Sequence, residues 1–287
     1  MLKAIVAEMR IKQWTKNLLV FAALLFSGSV FQIEKFWLAR QMFIAFCLVS
    51  SAVYFFNDIC DVDKDRKNPQ KCRRPIAAGK ITVKAAYVCA SLLALSGILI
   101  TVKIGKLSTY IVISYLLINI LYTVKLKHMV ILDVMVIAYG FVARALAGAL
   151  LLGKPITMWF ILCILFLSLF LALGKRRHEL WSLRQKHLQE GRHVLQYYSL
   201  ELIDQLMTIV TAAVLLCYAL FAMEAFKKEQ YMMLMTIPIV IYGIFYYLYV
   251  VRVKHSGGAP DELLYKERPI CVSVVFYVMC IIFARNF

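Results

Sequence analysis

Charge is scarce in this chain, and negative charge is scarcer still. Only 17% of its 287 residues are charged, and 16 Asp and Glu stand against 33 Lys and Arg. A soluble domain averages roughly 25% charged and about 45–50% apolar residues. Here 62% are hydrophobic and mean hydropathy is +0.76. That apolar surplus exceeds what one soluble core can hide, so the solvent is lipid. No soluble domain, low-complexity tract or internal repeat breaks the pattern, and residues 1–287 read as a single integral membrane domain. A disulfide framework is missing too. Of eight cysteines, Cys47, Cys89, Cys163, Cys217 and Cys280 lie inside apolar runs, where a thiol behaves as a small hydrophobe. Cys60 and Cys72 flank a charged stretch without the spacing of a zinc site.

The net charge of +17 would suggest nucleic acid in a soluble protein. Here the cations gather in the breaks between apolar runs, so membrane orientation explains them first and anionic substrates second. No nucleic-acid partner is expected. The start of the chain lacks an A-x-A site. Its basic part (Lys3, Arg10, Lys12, Lys16) is long, and Ser27-Gly28-Ser29 follows the apolar run from Leu18 to Phe26, so the segment is expected to be retained.

A helix needs about 20 apolar residues to cross the hydrocarbon. Nine candidate transmembrane helices emerge, at 17–32, 36–56, 81–102, 107–124, 129–152, 156–174, 205–225, 231–251 and 270–285. The fold class is therefore all-α and polytopic. With the N-terminus inside, the inner segments hold 23 Lys and Arg and the outer ones 8, which places the N-terminus in the cytoplasm of a bacterial-type plasma membrane. The inner connections are also the long ones, and long connections carry function.

The stretch "YFFNDICDVDKDRKNPQKCRRPIAAGK", Tyr54 to Lys80, concentrates what the rest lacks. Asp58, Asp61 and Asp65 are spaced i, i+3, i+7 and would share one helical face, with Asn57 beside them; Asp63 points elsewhere. Three carboxylates on one stripe need a counter-charge. Mg²⁺ suits them, because it takes hard oxygen ligands from one or two carboxylates plus substrate phosphates. No EF-hand pattern supports calcium. The bland alternative is a solvated acidic turn balanced by its neighbours. Arg66, Lys71, Arg73 and Arg74 follow within nine residues, and such cations grip phosphate. Pro75 and Gly79 mark a turn.

"NDICDVDKDRKNPQKCRRPIAAG" resembles the first aspartate-rich motif of the UbiA superfamily of membrane prenyltransferases, with Asn57, Asp58, Asp61 and Asp65 matching position by position. The resemblance implies nine transmembrane helices around a central cavity, a Mg²⁺ cofactor, and metal-binding and catalytic roles for Asp58, Asp61 and Asp65. Superfamily members carry a second aspartate-rich motif between helices six and seven. This sequence instead reads "LGKRRHELWSLRQ", Leu173 to Gln185, with Lys175, Arg176 and Arg177 and only Glu179 among them as an acid. A site of that sign holds a phosphate directly rather than a second metal.

That departure resembles the decaprenyl-phosphate phosphoribosyltransferase branch. "QWTKNLLVFAALLFSG", "LYTVKLKHMVILDVMVIAYGFVARALAGA" and "GGAPDELLYKERPI" resemble its stretches as well, the last with Glu267 where Asp is expected. The implied reaction moves 5-phosphoribose from phosphoribosyl diphosphate (PRPP) to a polyprenyl phosphate. The lipid phosphate oxygen attacks the anomeric carbon from the face opposite the departing diphosphate. The implied setting is cell wall biosynthesis, with the active site at the cytoplasmic side and membrane lipids as surroundings; a homo-oligomer is compatible with it. Substrate-binding roles fall to Lys16, Asn17, Asn57, Arg66, Lys71, Arg74, Tyr122, Lys125, Arg144, Lys175, Arg176, Arg177 and Glu179. Arg144, inside a span, must face a cavity or a partner. Asp133 shares its face and would pair with Lys125 or Lys127. The rival enzyme is a prenyltransferase acting on an aromatic acceptor. The rival of another class is a transporter or flippase, whose charged groups would sit at mid-membrane rather than at the cytoplasmic ends of spans.

Overall fold

A computed structural model describes residues 1–69, 71–153, 157–185, 193–225, 230–256, 263 and 266–286. Every regular element among the described residues is helical. The chain opens with α1 (Leu2–Glu8), a 3-10 stretch (Ile11–Phe21) and a short α2 (Ala22–Phe26). Then come α3 (Ile33–Cys60), α4 (Val62–Lys67), α5 (Val83–Ile104), α6 (Lys106–Val124), α7 (Leu132–Leu150) and α8 (Met158–Gln185). The last are α9 (Leu200–Ala225), α10 (Gln230–Leu234), α11 (Ile237–Arg252) and α12 (Arg268–Asn286).

Seven of the anticipated spans form helices long and apolar enough to cross a membrane, and Arg268–Ala284 is apolar but shorter. The first anticipated span differs. Residues 17–32 are not one α-helix, because the chain runs as a 3-10 helix to Phe21 and then makes one brief α-helix. Three residues per turn put Trp14, Asn17 and Val20 in one row. Each lands on a neighbour. Trp14 Nε1 donates to Ser51 Oγ (3.1 Å) and Asn17 Nδ2 to Ser50 Oγ (3.3 Å). A Cβ at Gly148 would come within 1.9 Å of the Val20 carbonyl oxygen, so only glycine lets α7 approach this backbone.

Packing divides the chain into two compact units. The first comprises Met1–Ala23, Gln32–Met129 and Ala143–Gly153, and the second Leu24–Phe31, Val130–Val142 and Lys154–Phe287. In the first, α3 packs against α5, α6 and the 3-10 stretch. Small residues permit close approach, as expected where lipid supplies no hydrophobic drive between helices. A Cβ at Gly97 of α5 would stand 2.9 Å from the Ala45 carbonyl oxygen of α3. Leu92, Leu95 and Leu99 on α5 are each more than half exposed, an oily face suited to lipid. A cluster of Phe55, Ile59, Ile76, Ile81 and Ala86 ties the turn after α4 onto the end of α3. Thr82 then caps α5, its Oγ1 accepting from Ala85 N at 3.2 Å. In the second unit α8 packs on α9 and α11 on α12, around Phe170, Leu173, Ile203, Met207 and Val250.

Candidate active site

The acidic stripe does not lie on one unbroken helix. α3 ends at Cys60, Asp61 leaves helical geometry (φ −98°, ψ 6°), and α4 resumes at Val62. The break splits the expected trio. Asp58 and Asp65, 2% and 3% exposed, converge on the turn anchored by Ile76. There Arg74 Nη1 donates to Asp58 Oδ1 (3.1 Å) and to Asp65 Oδ2 (2.6 Å). Asp61 is held instead by Lys127, whose Nζ lies 2.7 and 2.8 Å from its two oxygens. Asn57 Nδ2 donates to Asp58 Oδ1 at 3.2 Å, and Lys71 Nζ stands 4.0 Å from Asp65. Arg66 is exposed, pairs loosely with Asp63 (3.6 Å) and donates to the Ala77 carbonyl (3.4 Å), so it braces the turn.

The N-terminal segment completes this pole with two residues that spacing could not reveal. Arg10 donates to Asp58 and lies over the Tyr54 ring at 4.9 Å. Its backbone is left-handed (φ 52°), a conformation costing a non-glycine residue about 1–2 kcal/mol. Glu8, two residues earlier, is 1% exposed, and neither of its oxygens has a hydrogen-bond partner. Burial, then the adjacent Asp58 carboxylate, push the Glu8 carboxyl up to about 8 against the pull of Arg10 and Arg74. Asp58 can bond it only when a proton sits between the two carboxyls. The one signal in the sequence is the excess of acids at the end of α3, which calls for cations from elsewhere.

Arg144 is buried in α7 and bonds two partners of the first unit. Its Nε donates to Asn17 Oδ1 (2.6 Å) and its Nη2 to Tyr115 Oη (2.9 Å), with the Tyr115 ring 4.8 Å away. Arg144 and Asn17 thus bond each other between the 3-10 stretch and α7. Lys16 is half-buried, Tyr122 half-buried and Lys125 exposed at the end of α6.

The basic stretch at the end of α8, in the second unit, has a different character. Arg176 is fully buried, its Nε bound to Asp133 Oδ2 and its Nη1 to Glu179 Oε2, both at 2.6 Å. Asp133 therefore pairs with Arg176 rather than with Lys125 or Lys127. It also accepts from Tyr198 Oη (2.8 Å), which in turn accepts from Ile131 N (2.8 Å). Burial raises the Tyr198 phenol far above its usual range. Arg177 forks onto Asp204 (2.8 and 3.2 Å) and donates to the Val251 carbonyl (2.8 Å). Arg252 Nε lies 3.2 Å from the same Asp204. Arg176 and Arg177, expected to meet phosphate, thus each bond carboxylates here. Lys175 is half-buried. Nearby, the bond from Lys254 Nζ (2.8 Å) holds Glu267 below the usual carboxylate range. Residues 257–262, which carry much of the late-loop resemblance, lie outside the described residues.

The first unit's pole has the donor chemistry of a hard divalent cation. Two buried carboxylates already converge on one cationic nitrogen, and Mg²⁺ is typically held by one or two carboxylates plus substrate phosphates. Among the described residues no three His, Cys, Asp or Glu side chains gather into a ready metal cluster. Asp58 and Asp65 are the pair that converges, with Asp61 drawn to Lys127.

Comparison with known proteins is consistent across the chain. The profile of the UbiA prenyltransferase family matches residues 18–263. A decaprenyl-phosphate phosphoribosyltransferase of Mycolicibacterium smegmatis is 30% identical over 290 residues, covering 97% of this chain and 91% of that protein. One of Corynebacterium glutamicum is 32% identical, covering 97% and 86%. The structure of a UbiA homolog from Archaeoglobus fulgidus bound to GPP and Mg²⁺ matches with a TM-score of 0.74 at 15% identity, covering 99% of this chain and 100% of that one.

Proposed function

The chain belongs to the UbiA prenyltransferase family, and from that premise we propose that it is a membrane glycosyltransferase moving 5-phosphoribose from PRPP to a polyprenyl phosphate. It would work in a plasma membrane, with the N-terminus and the site at the cytoplasmic side. One observation carries the choice of reaction. Around the end of α8 described carboxylates are paired with cations: Asp133 and Glu179 with Arg176, Asp204 with Arg177 and Arg252, and Glu267 with Lys254. Among the described residues no acid there is left without a cation for a second metal, which a prenyl diphosphate site of the two-motif kind requires. The near-full-length likeness to two decaprenyl-phosphate phosphoribosyltransferases supports the same reading.

Asp58 and Asp65 would hold Mg²⁺ with the donor's diphosphate. The ion would supply positive charge that stabilises the leaving group. Arg74 and Arg10, whose side chains are 27% and 26% exposed, can turn from the carboxylates to donor phosphates. The bond from the anomeric carbon to diphosphate breaks, and one from that carbon to a lipid phosphate oxygen forms. A phosphate monoester is largely ionised near pH 7 (second pKa about 6), so no strong base is needed, and positioning and electrostatics carry the rate. Lys175 meets the acceptor phosphate, while Arg176 and Arg177 fix the helix end that presents it.

Mass spectrometry of lipid formed by purified protein with PRPP, Mg²⁺ and a polyprenyl phosphate tests this. A phosphoribosylated lipid, lost on chelation, is expected. Consumption of a prenyl diphosphate with an aromatic acceptor, and none of PRPP, would give the site to the rival prenyl transfer.

A further inference from the structure

The least explained group in the molecule is Glu8. It comes from α1, outside the motif stretch, yet it lies buried against Asp58, and apart from a proton the two carboxyls can share neither of its oxygens has a hydrogen-bond partner. Its segment is deliberately held there: Ser51 Oγ donates to the Met9 carbonyl at 3.0 Å, and Arg10 accepts a left-handed backbone to reach Asp58. A buried carboxyl without donors costs stability, so a ligand that brings donors is the economical explanation.

Three kinds of donor could satisfy it. Protein cations do not: Arg10 and Arg74 are near enough to influence Glu8, but both bond Asp58. A metal would be held by Asp58 and Asp65, which converge on Arg74 without Glu8. Neutral hydroxyls of a ligand remain. A prenyl chain has none, whereas a pentose has ring hydroxyls beside its diphosphate.

We propose that Glu8 selects a sugar donor, its carboxyl accepting a hydrogen bond from a pentose hydroxyl once Arg10 and Arg74 have moved onto the donor's phosphates. This rests on the reading of the donor as a pentosyl diphosphate. Such a group rejects an analogue lacking the hydroxyl, because a buried polar atom is then left unpaired. The carboxyl accepts in either protonation state.

The test uses full-length purified protein with Glu8→Leu and Glu8→Gln. Donor KM is measured alongside the inhibition constant of inorganic diphosphate, which has the phosphates but no hydroxyl. Glu8→Leu should raise donor KM about 10- to 100-fold, and Glu8→Gln, which keeps a carbonyl acceptor, by less than about tenfold. The diphosphate constant should stay within about twofold in both. A parallel rise in the diphosphate constant, or an unchanged donor KM, overturns the inference. Wild-type protein supplies an arm independent of mutant folding: donors lacking the 2- or the 3-hydroxyl should show the same loss for one of the two, and equal use of both and of the intact donor overturns it. Failure of the wild type to use PRPP at all strikes the functional reading itself, and is seen before any variant is compared.

Discussion

The two arginine-rich regions look alike on paper and differ in what their cations are free to do. In the first unit, Arg10 and Arg74 reach in from an N-terminal segment and a turn, each with about a quarter of its side chain exposed, to cover nearly buried aspartates. In the second, Arg176 is wholly buried between Asp133 and Glu179, and Arg177 is forked onto Asp204. Partly exposed guanidiniums on short connections can exchange a carboxylate for a phosphate at modest cost. A buried guanidinium cannot leave without stranding charge in a low dielectric. The cations of the first region can therefore exchange partners, and the arginines of the second hold their own helices together.

The largest effect should come from removing the carboxylate pair. Asp58→Ala or Asp65→Ala is expected to lower turnover by at least about a thousandfold in a product assay, and Asp61→Ala, whose side chain is held by Lys127, by distinctly less. Equal losses for all three would restore the preassembled trio. Next, Arg176→Met should cost about 3–5 kcal/mol by leaving a buried acid unpaired, read as a lowered Tm in detergent. Arg177→Lys should lose stability while donor KM of the folded fraction stays near wild type; a large rise in KM with unchanged Tm would return Arg177 to direct phosphate binding. Arg74→Ala should bind Mn²⁺ several-fold more tightly than wild type in donor-free titrations followed by electron paramagnetic resonance, because a competing cation is gone. The smallest effect concerns Glu267. Its folded pKa lies below the unfolded value of about 4.3, so its contribution is present above that value and fades as pH falls through the lower one. Glu267→Gln should flatten the Tm decline between about pH 5 and pH 3 only slightly, since the pair is solvent-screened.

The long apolar runs made α3, α5 to α9 and α11 legible, because a membrane helix must satisfy its backbone within itself. The motif stretch likewise picked out Asp58, Asp65 and Arg74, which the structure brings together. The 3-10 stretch was illegible to a search for long apolar segments, although the three-residue recurrence of Trp14, Asn17 and Val20 was there to read. The interruption at Asp61 was hidden because i, i+3, i+7 spacing presumes an unbroken helix. Arg10 and Glu8 escaped for another reason: they reach Asp58 across about fifty positions of chain, 48 in the case of Arg10, and no local pattern encodes that meeting. Nor did sequence reveal that Arg144 would find Asn17, 127 positions away.

The extended winding of Ile11–Phe21 works as a ruler. Wound as an α-helix, these eleven residues would be about 5 Å shorter, since the rise per residue drops from about 2.0 to 1.5 Å. With Val20 seated against Gly148 at one end, all of that shortening would fall on the other, withdrawing Arg10 and Glu8 by nearly one helical turn. The pitch of a short N-terminal segment thereby sets whether the aspartates keep their cover.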